Sequence, residues 1–286
     1  MRTFQQIGPL RTYLRGIRHE GKSIGFVPTM GALHAGHLSL FKRAAQDCDL
    51  VVASIFVNPT QFGANEDFNK YPRLLQQDLQ LASNSGVGAA FTPAVEDMYG
   101  EGFQTTILPG TLAVELEGAH RPGHFAGVCT VVSKLLNIVQ PDRAFFGQKD
   151  FQQARVIEQM VHDLNFSAEI VVAPTVRAED GLALSSRNAY LSPEERVAAA
   201  AISDGLKAAL QAYNAGEWRS SALTDIVLKR TEGEQLIAME YCVVANSATL
   251  HAVETVGDRP SVILVAAAIG ATRLIDNILL PAVIAQ

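Results

Sequence analysis

The sequence predicts an α/β protein in two parts, a parallel sheet covered by helices over residues 1–175 and a smaller α+β domain over residues 176–286. Three observations predict it. Short apolar runs alternate with amphipathic stretches of helix length through the first part. Loops rich in glycine and hydrogen-bonding side chains follow three of those runs. Near Pro174 the pattern changes to an alanine-rich helix and further strands.

In order, Ile24-Gly25-Phe26-Val27-Pro28-Thr29 is apolar and closed by turn formers, which reads as the first buried strand of a parallel sheet. The stretch after it sets Leu38, Leu40, Phe41, Ala44 and Ala45 against Lys42, Arg43, Gln46 and Asp47, an amphipathic helix. Leu50 to Val57 reads as a strand, Tyr71 to Ser85 as a helix, and Ala89-Ala90-Phe91 as a short strand before Pro93. Phe125 to Val139 is a helix with Val128, Val131, Val132, Leu135, Leu136 and Val139 on its apolar face. Arg143 to Phe146 is a strand, Phe151 to Leu164 a helix and Glu169 to Val172 a strand. Alternation of this kind implies right-handed crossovers and a sheet covered on both faces. Ligands bind such sheets outside the carboxyl ends of the strands, so the loops after Thr29, Val57 and Phe146 are expected to face one crevice. Beyond Pro174, Ser192-Pro193-Glu194-Glu195 is a capping box with proline at the first helical position, opening a helix to about Tyr213. A helix near Ser221 to Lys229 and strands at Glu240 to Ala245 and Val262 to Ala268 complete the smaller part, with no internal repeat and no low-complexity linker.

Composition narrows the function classes. At 48% hydrophobic and 18% charged residues the chain is an ordinary globular protein rather than a disordered one. Its net charge of −6 comes with acidic and basic residues mixed along the chain, so no basic stripe exists to neutralise a nucleic-acid backbone. Cys48, Cys129 and Cys242 form no Cys-x-x-Cys pair, which suggests neither a disulfide framework nor a zinc ribbon. Arg2, Arg11, Arg15 and Arg18 lack an apolar run beside them, and Val262 to Ala271 is too short to span a bilayer. A cytoplasmic protein without membrane or nucleic-acid partners is expected.

The chemistry starts at Met30-Gly31-Ala32-Leu33-His34-Ala35-Gly36-His37-Leu38, where two imidazoles bracket a glycine as a strand hands over to a helix. A helix N-terminus favours an anion by roughly 0.3–1 kcal/mol through its unpaired N–H groups and dipole. Gly31 and Gly36 let that anion approach the backbone, and His34 and His37 add donors. The histidines could instead ligate a metal or be ordinary structural residues, but the His-Glu-x-x-His pattern of zinc hydrolases is absent. Asn58-Pro59-Thr60-Gln61 ends a strand with amides that donate and accept at once, or is a plain Asn-Pro turn. Gly147-Gln148-Lys149-Asp150, with Gln152 and Gln153 after it, offers a cation for phosphate and a hydrogen-bonding amide, or Asp150 simply caps the helix. Leu184-Ser185-Ser186-Arg187-Asn188 suits a triphosphate by charge-assisted hydrogen bonds, or is a polar turn. Arg121 of Arg121-Pro122-Gly123-His124-Phe125 either binds an anion or faces solvent.

Taken together, a His-Gly-His loop, a lysine at a later strand end and a Ser-Ser-Arg loop resemble the nucleotidyltransferase and class I aminoacyl-tRNA synthetase superfamily. The fuller strings Pro28-Thr29-Met30-Gly31-Ala32-Leu33-His34-Ala35-Gly36-His37, Phe56-Val57-Asn58-Pro59-Thr60-Gln61-Phe62, Phe146-Gly147-Gln148-Lys149-Asp150 and Leu184-Ser185-Ser186-Arg187-Asn188 closely resemble the pantothenate synthetase family, in order and over essentially the whole chain. The resemblance implies an ATP- and Mg²⁺-dependent ligase of coenzyme A biosynthesis. Such an enzyme joins pantoate to β-alanine through a pantoyl adenylate, releases pyrophosphate and AMP, and works as a homodimer whose smaller domain is a lid. It implies that His34, His37, Lys149, Ser185, Ser186 and Arg187 hold the ATP phosphates, and that Met30, Gly147, Asp150, Leu184 and the backbone near Val176 hold the nucleotide. It further implies that Met30, Asn58, Gln61 and Gln153 line the pantoate site. Leu184 stands where many relatives have methionine, a volume-conserving exchange. Gln76-Gln77-Asp78 replaces a richer acidic cluster and leaves Asp78 as the expected Mg²⁺ contact. A carboxylate attacking a like-charged phosphate needs that charge neutralised and the attack held in line, and needs no general base. Rival readings are a different adenylyltransferase, a nucleotide sensor and a histidine-ligated metal hydrolase.

Overall fold

Six parallel strands, β1 (Arg2–Phe4), β2 (Ile24–Thr29), β3 (Leu50–Ile55), β4 (Ala89–Phe91), β5 (Arg143–Gly147) and β6 (Glu169–Ala173), hydrogen-bond in the order β1-β4-β3-β2-β5-β6. The computed structural model describes residues 1–63 and 66–282. They fall into two units, one of Met1–Gln148 with Gln152–Pro174, the other of Lys149–Phe151 with the chain from Thr175 onward. Lys149–Phe151 thus belongs with the second unit, although it lies among residues 1–175.

Period-two burial builds the first unit. Ile24, Phe26, Leu50 and Val52 pack on one face against α1 (Ile7–His19) and, later in the chain, against residues 124–139 and 151–163. Val27, Val51 and Ala53 pack on the other face against α2 (Ala35–Asp47) and α3 (Leu75–Asn84). Because both faces are covered, these strands read as continuous apolar runs. Two single-turn helices follow, α4 (Val95–Met98) and α5 (Glu117–His120), and then the long helices α6 (His124–Val139) and α7 (Phe151–Asp163). Nearly every side of α6 is buried.

In the second unit, α8 (Pro193–Asn214) and α9 (Ser220–Thr231) cover an antiparallel sheet ordered β7 (Ile237–Asn246), β8 (Ser261–Ile269), β9 (Thr272–Leu280). Ser192 caps α8 with Glu195 returning the bond, as the capping box predicts. The core joins Leu206, Leu223 and Val227 to Val244, Ile263 and Val265.

The structure adds β1, α1 and β9, none of which the sequence reading drew, so Ile24–Thr29 is the second strand and not the first. It also trims two elements. The third strand stops at Ile55, because Asn58 and Pro59 open a 3-10 turn. The next helix starts at Leu75, beyond Pro72, whose ring disfavours helical backbone at Tyr71. Among the described residues no helix is long and apolar enough to cross a membrane.

Candidate active site

The strand order reverses at β2: the chain runs from it to β3 and β4 on one side and returns to β5 on the other. Crevices form at such switch points, and the Met30–His37 loop leaves β2 there. Gly31 (φ +85°) and Ala32 (φ +50°) both turn left-handed. A Cβ on Gly31 would stand 2.8 Å from Asp78 Oδ2 and 3.2 Å from Ile55, so glycine is required for space as well as for φ. Asp78, 2% exposed, holds this turn: Ala32 N–H donates to Oδ2 at 3.0 Å and Leu33 N–H to Oδ1 at 2.8 Å. Desolvation pushes the Asp78 carboxyl above the usual range, and the two backbone bonds pull it partly back. Asp78 was expected to contact Mg²⁺. Both of its oxygens accept from the loop, and among the described residues no group of three or more His, Cys, Asp and Glu is placed to hold a metal.

His34 is the N-cap of α2 and His37 its third helical residue. Gly36 N–H donates to His34 Nδ1 at 3.2 Å and His34 N–H donates to His37 Nδ1 at 3.3 Å, a capping box made of two imidazoles with ring centroids 4.1 Å apart. The network assigns the tautomers. Each Nδ1 accepts, so in the neutral rings each Nε2 carries the proton and donates. The same bonds that start the helix therefore turn both histidines into donors at its positive end.

After β3, Asn58 caps the 3-10 turn Pro59–Gln61. Its Oδ1 accepts from Thr60 N–H (3.3 Å), Thr60 Oγ1 (2.9 Å) and Tyr99 Oη (2.7 Å), and its Nδ2 donates to Gln61 Oε1 (3.0 Å) and the Gly127 carbonyl (3.2 Å). At 1% exposure the amide is saturated by protein, so Asn58 orients Gln61 rather than facing a ligand as expected. Gln61 Nε2 in turn donates to Met30 Sδ at 3.1 Å, which joins the two loops. Arg121, which the sequence left between anion and solvent, ion-pairs with Glu66 and donates to the Gln61 carbonyl at 3.3 Å; His124 Nδ1 lies 2.8 Å from the same oxygen. Gly127 completes the support, since a Cβ there would overlap the Thr60 carbonyl. The sequence reading missed Tyr99, Glu66 and Gly127, none of which lies within a chemical motif.

β5 ends at Gly147, beside β2 in the sheet. Of the two glutamines in α7, Gln152 is structural: its amide accepts from Glu117 N–H and donates to the Leu112 and Glu115 carbonyls. Gln153 is half-buried in the first turn of that helix. In the second unit, Lys149 Nζ lies 3.3 Å from Asp150 Oδ1. Ser185 caps the 3-10 turn Ser186–Tyr190, accepting from Arg187 N–H at 3.3 Å, and the Val176 carbonyl accepts from Leu184 N–H at 3.0 Å. Lys149, Ser185 and Asn188 line one small pocket.

A parallel sheet with a donor-bearing helix N-terminus at its switch point, in a chain that also holds a smaller α+β unit, defines a protein of the Rossmann-like α/β class. The family model for pantoate-beta-alanine ligase matches residues 2–279. A pantothenate synthetase of Pelotomaculum thermopropionicum is 51% identical over 274 residues, covering 96% of this chain and 97% of its own. A crystal structure of pantothenate synthetase from Thermus thermophilus superposes with a TM-score of 0.91 at 44% identity, covering 97% and 99% of the two chains. The Francisella tularensis pantoate-beta-alanine ligase, solved in complex with beta-gamma ATP and beta-alanine, superposes with a TM-score of 0.80 at 36% identity, covering 98% and 97%. The chain belongs to the pantoate–β-alanine ligase family.

Two outcomes follow from the supports. Gly127→Ala forces the Asn58–Gln61 turn away from α6 at an overpacking cost of about 1–3 kcal/mol; urea unfolding will register that loss, and an unchanged midpoint would refute the contact. Asp78→Asn points an amide N–H₂ at one loop N–H but relieves the burial of charge. Its melting temperature should therefore stay near wild type while kcat falls by about tenfold or more as the histidine loop shifts; wild-type kcat would show that the carboxylate does not set the loop.

Proposed function

We propose that the chain makes pantothenate in two steps, with ATP taken up as its magnesium complex. In the first step a pantoate carboxylate oxygen attacks the α-phosphorus, its bond to the bridging oxygen breaks, and pyrophosphate leaves a pantoyl adenylate. In the second the β-alanine amine attacks the acyl carbon, AMP departs with the bonding electrons, and the amine proton passes to phosphate or solvent. The nucleotide and β-alanine held by the Francisella ligase support these substrates.

The observation that carries the reading is the reciprocal His34–His37 cap at the switch point. Adenylation piles negative charge onto the phosphates, and fixed donors aimed there need no reorganisation as it develops. In this reading His34 and His37 bind the phosphates together with Lys149, Ser185, Ser186 and Arg187, whose side chains supply positive charge and hydroxyl donors. Gly147, Asp150, Val176 and Leu184 hold the nucleoside. Gln61 and Gln153 read the hydroxyls and carboxylate of pantoate beside Met30, with Asn58 behind Gln61. Magnesium would enter with the nucleotide and supply charge neutralisation to its phosphates, as it commonly does where few carboxylates are offered. The net charge of −6 supports work without nucleic acid, and membership of the family supports a cytoplasmic homodimer.

Pyrophosphate release is the first test. With pantoate, ATP and magnesium it should proceed at least once per site without β-alanine, while AMP and pantothenate should accumulate only when β-alanine is added. ATP binding with no pantoate-dependent pyrophosphate would overturn the reading in favour of a sensor. His34→Ala and His37→Ala are each expected to lower kcat by about 10²–10³, the loss that follows removal of one preorganised donor. A change confined to the β-alanine KM would count against them.

A further inference from the structure

β9 of the second unit carries two polar residues where a strand normally carries apolar ones, and neither belongs to a sequence motif. Asp276 is 6% exposed and Asn277 2% exposed. Arg177 forks onto Asp276, Nη1 to Oδ2 at 2.6 Å and Nη2 to Oδ1 at 2.9 Å. The same guanidinium donates to the Asn277 carbonyl (3.3 Å), the Gly181 carbonyl (3.2 Å) and Ser203 Oγ of α8 (3.3 Å). Arg177 thereby ties three elements of the unit together. It also stands in a short hairpin: Arg177 bridges Ala183, Ala178 N–H donates to the Leu182 carbonyl and Leu184 N–H to the Val176 carbonyl. The hairpin delivers the chain directly into Ser185, and Asn188 Nδ2 reaches back to the Ala183 carbonyl at 3.0 Å.

The neighbouring residue on β9 performs the complementary task. Asn277 Nδ2 donates to the Lys149 carbonyl at 3.0 Å, while its own N–H donates to Asp276 Oδ1 at 2.7 Å. Lys149, Ser185 and Asp276 then line the same pocket. One carboxylate on β9 thus anchors, through Arg177, the hairpin that carries Ser185. Through Asn277, it also anchors the backbone of Lys149. Buried, charge-assisted forks of this kind are rigid as well as strong.

We propose that Arg177, Asp276 and Asn277 are positioning residues that hold Lys149 and the Ser185–Arg187 loop in one fixed register. They act through those groups. The inference rests on the phosphate role given to Lys149 above.

The test is a double-mutant cycle on the whole enzyme, following pantoate-dependent pyrophosphate release for wild type, Lys149→Ala, Asn277→Ala and the double variant, with thermal unfolding run on each. Asn277→Ala should lower kcat by about tenfold, since displacing a catalytic group by 1 Å costs up to about 10²-fold, and should leave the pantoate KM unchanged. In the Lys149→Ala background the same substitution should change kcat by less than about twofold, because the group it positions is gone. Equal losses in both backgrounds, or none in the wild type, would overturn the proposal while leaving the role of Lys149 intact. Wild-type kcat in Lys149→Ala would overturn that role and the positioning proposal with it. Where Asn277→Ala unfolds, Asn277→Asp takes its place in the cycle, keeping the volume and losing the donor.

Discussion

A buried carboxylate that accepts two successive backbone N–H groups is the constraint on which the first unit's chemistry depends. Asp78 fixes Ala32 and Leu33 in a turn that begins left-handed, and the helix bearing both histidines starts two residues later. This device does not favour stability. Because burial raises the Asp78 pKa above its unfolded value, the ionised group costs the folded state free energy at neutral pH. That cost fades as pH falls through the raised value and vanishes below the unfolded one. What neutral pH supplies is a doubly accepting carboxylate, and hence a fixed start to α2. A site tuned for geometry at the expense of stability is what function selects.

The turn after β3 obeys the same logic with neutral groups. Asn58 commits every hydrogen-bonding position to protein, and the result is a single orientation for the Gln61 amide. Its partners come from three separate places in the chain, Tyr99, Thr60 and Gly127, with Arg121 and His124 fastening the Gln61 carbonyl from the start of α6. Supports drawn from distant segments lock a side chain better than neighbours in sequence can, because each removes a different degree of freedom.

The legible parts of this protein were those whose signal is local. The histidine loop, the glycine exit of β5 and the capping box of α8 are each written in fewer than ten consecutive residues, and each lies where the sequence placed it. β9 was not legible, because Asp276-Asn277 interrupts its apolar alternation and both residue types are depleted in strands. The stripe Ile7, Leu10, Leu14, Ile17 announces α1 at helical spacing, but the arginines between those residues drew the reading toward charge. The role of Asp78 in the loop lay beyond any local signal, because the two N–H groups that it accepts from lie 45 and 46 residues away.

Lys149 shows why contiguity misleads about which structure holds a residue. The string Gly147-Gln148-Lys149-Asp150 is unbroken in sequence, and Gly147 ends a strand of the parallel sheet. Two residues on, the lysine carbonyl is bound by Asn277, and the segment Lys149–Phe151 clusters with the second unit before the chain returns to the first at Gln152. A backbone bond from a buried amide decides the matter, since an amide left unpaired at that depth is costly. The second unit therefore carries Lys149 and Arg187, as well as Ser185 and Ser186, whereas the first carries the two imidazoles. Each set is held by its own buried carboxylate, Asp276 in one unit and Asp78 in the other. Neither carboxylate lies within the motifs that mark the family, so the residues that identify this chain are held in place by ones that do not.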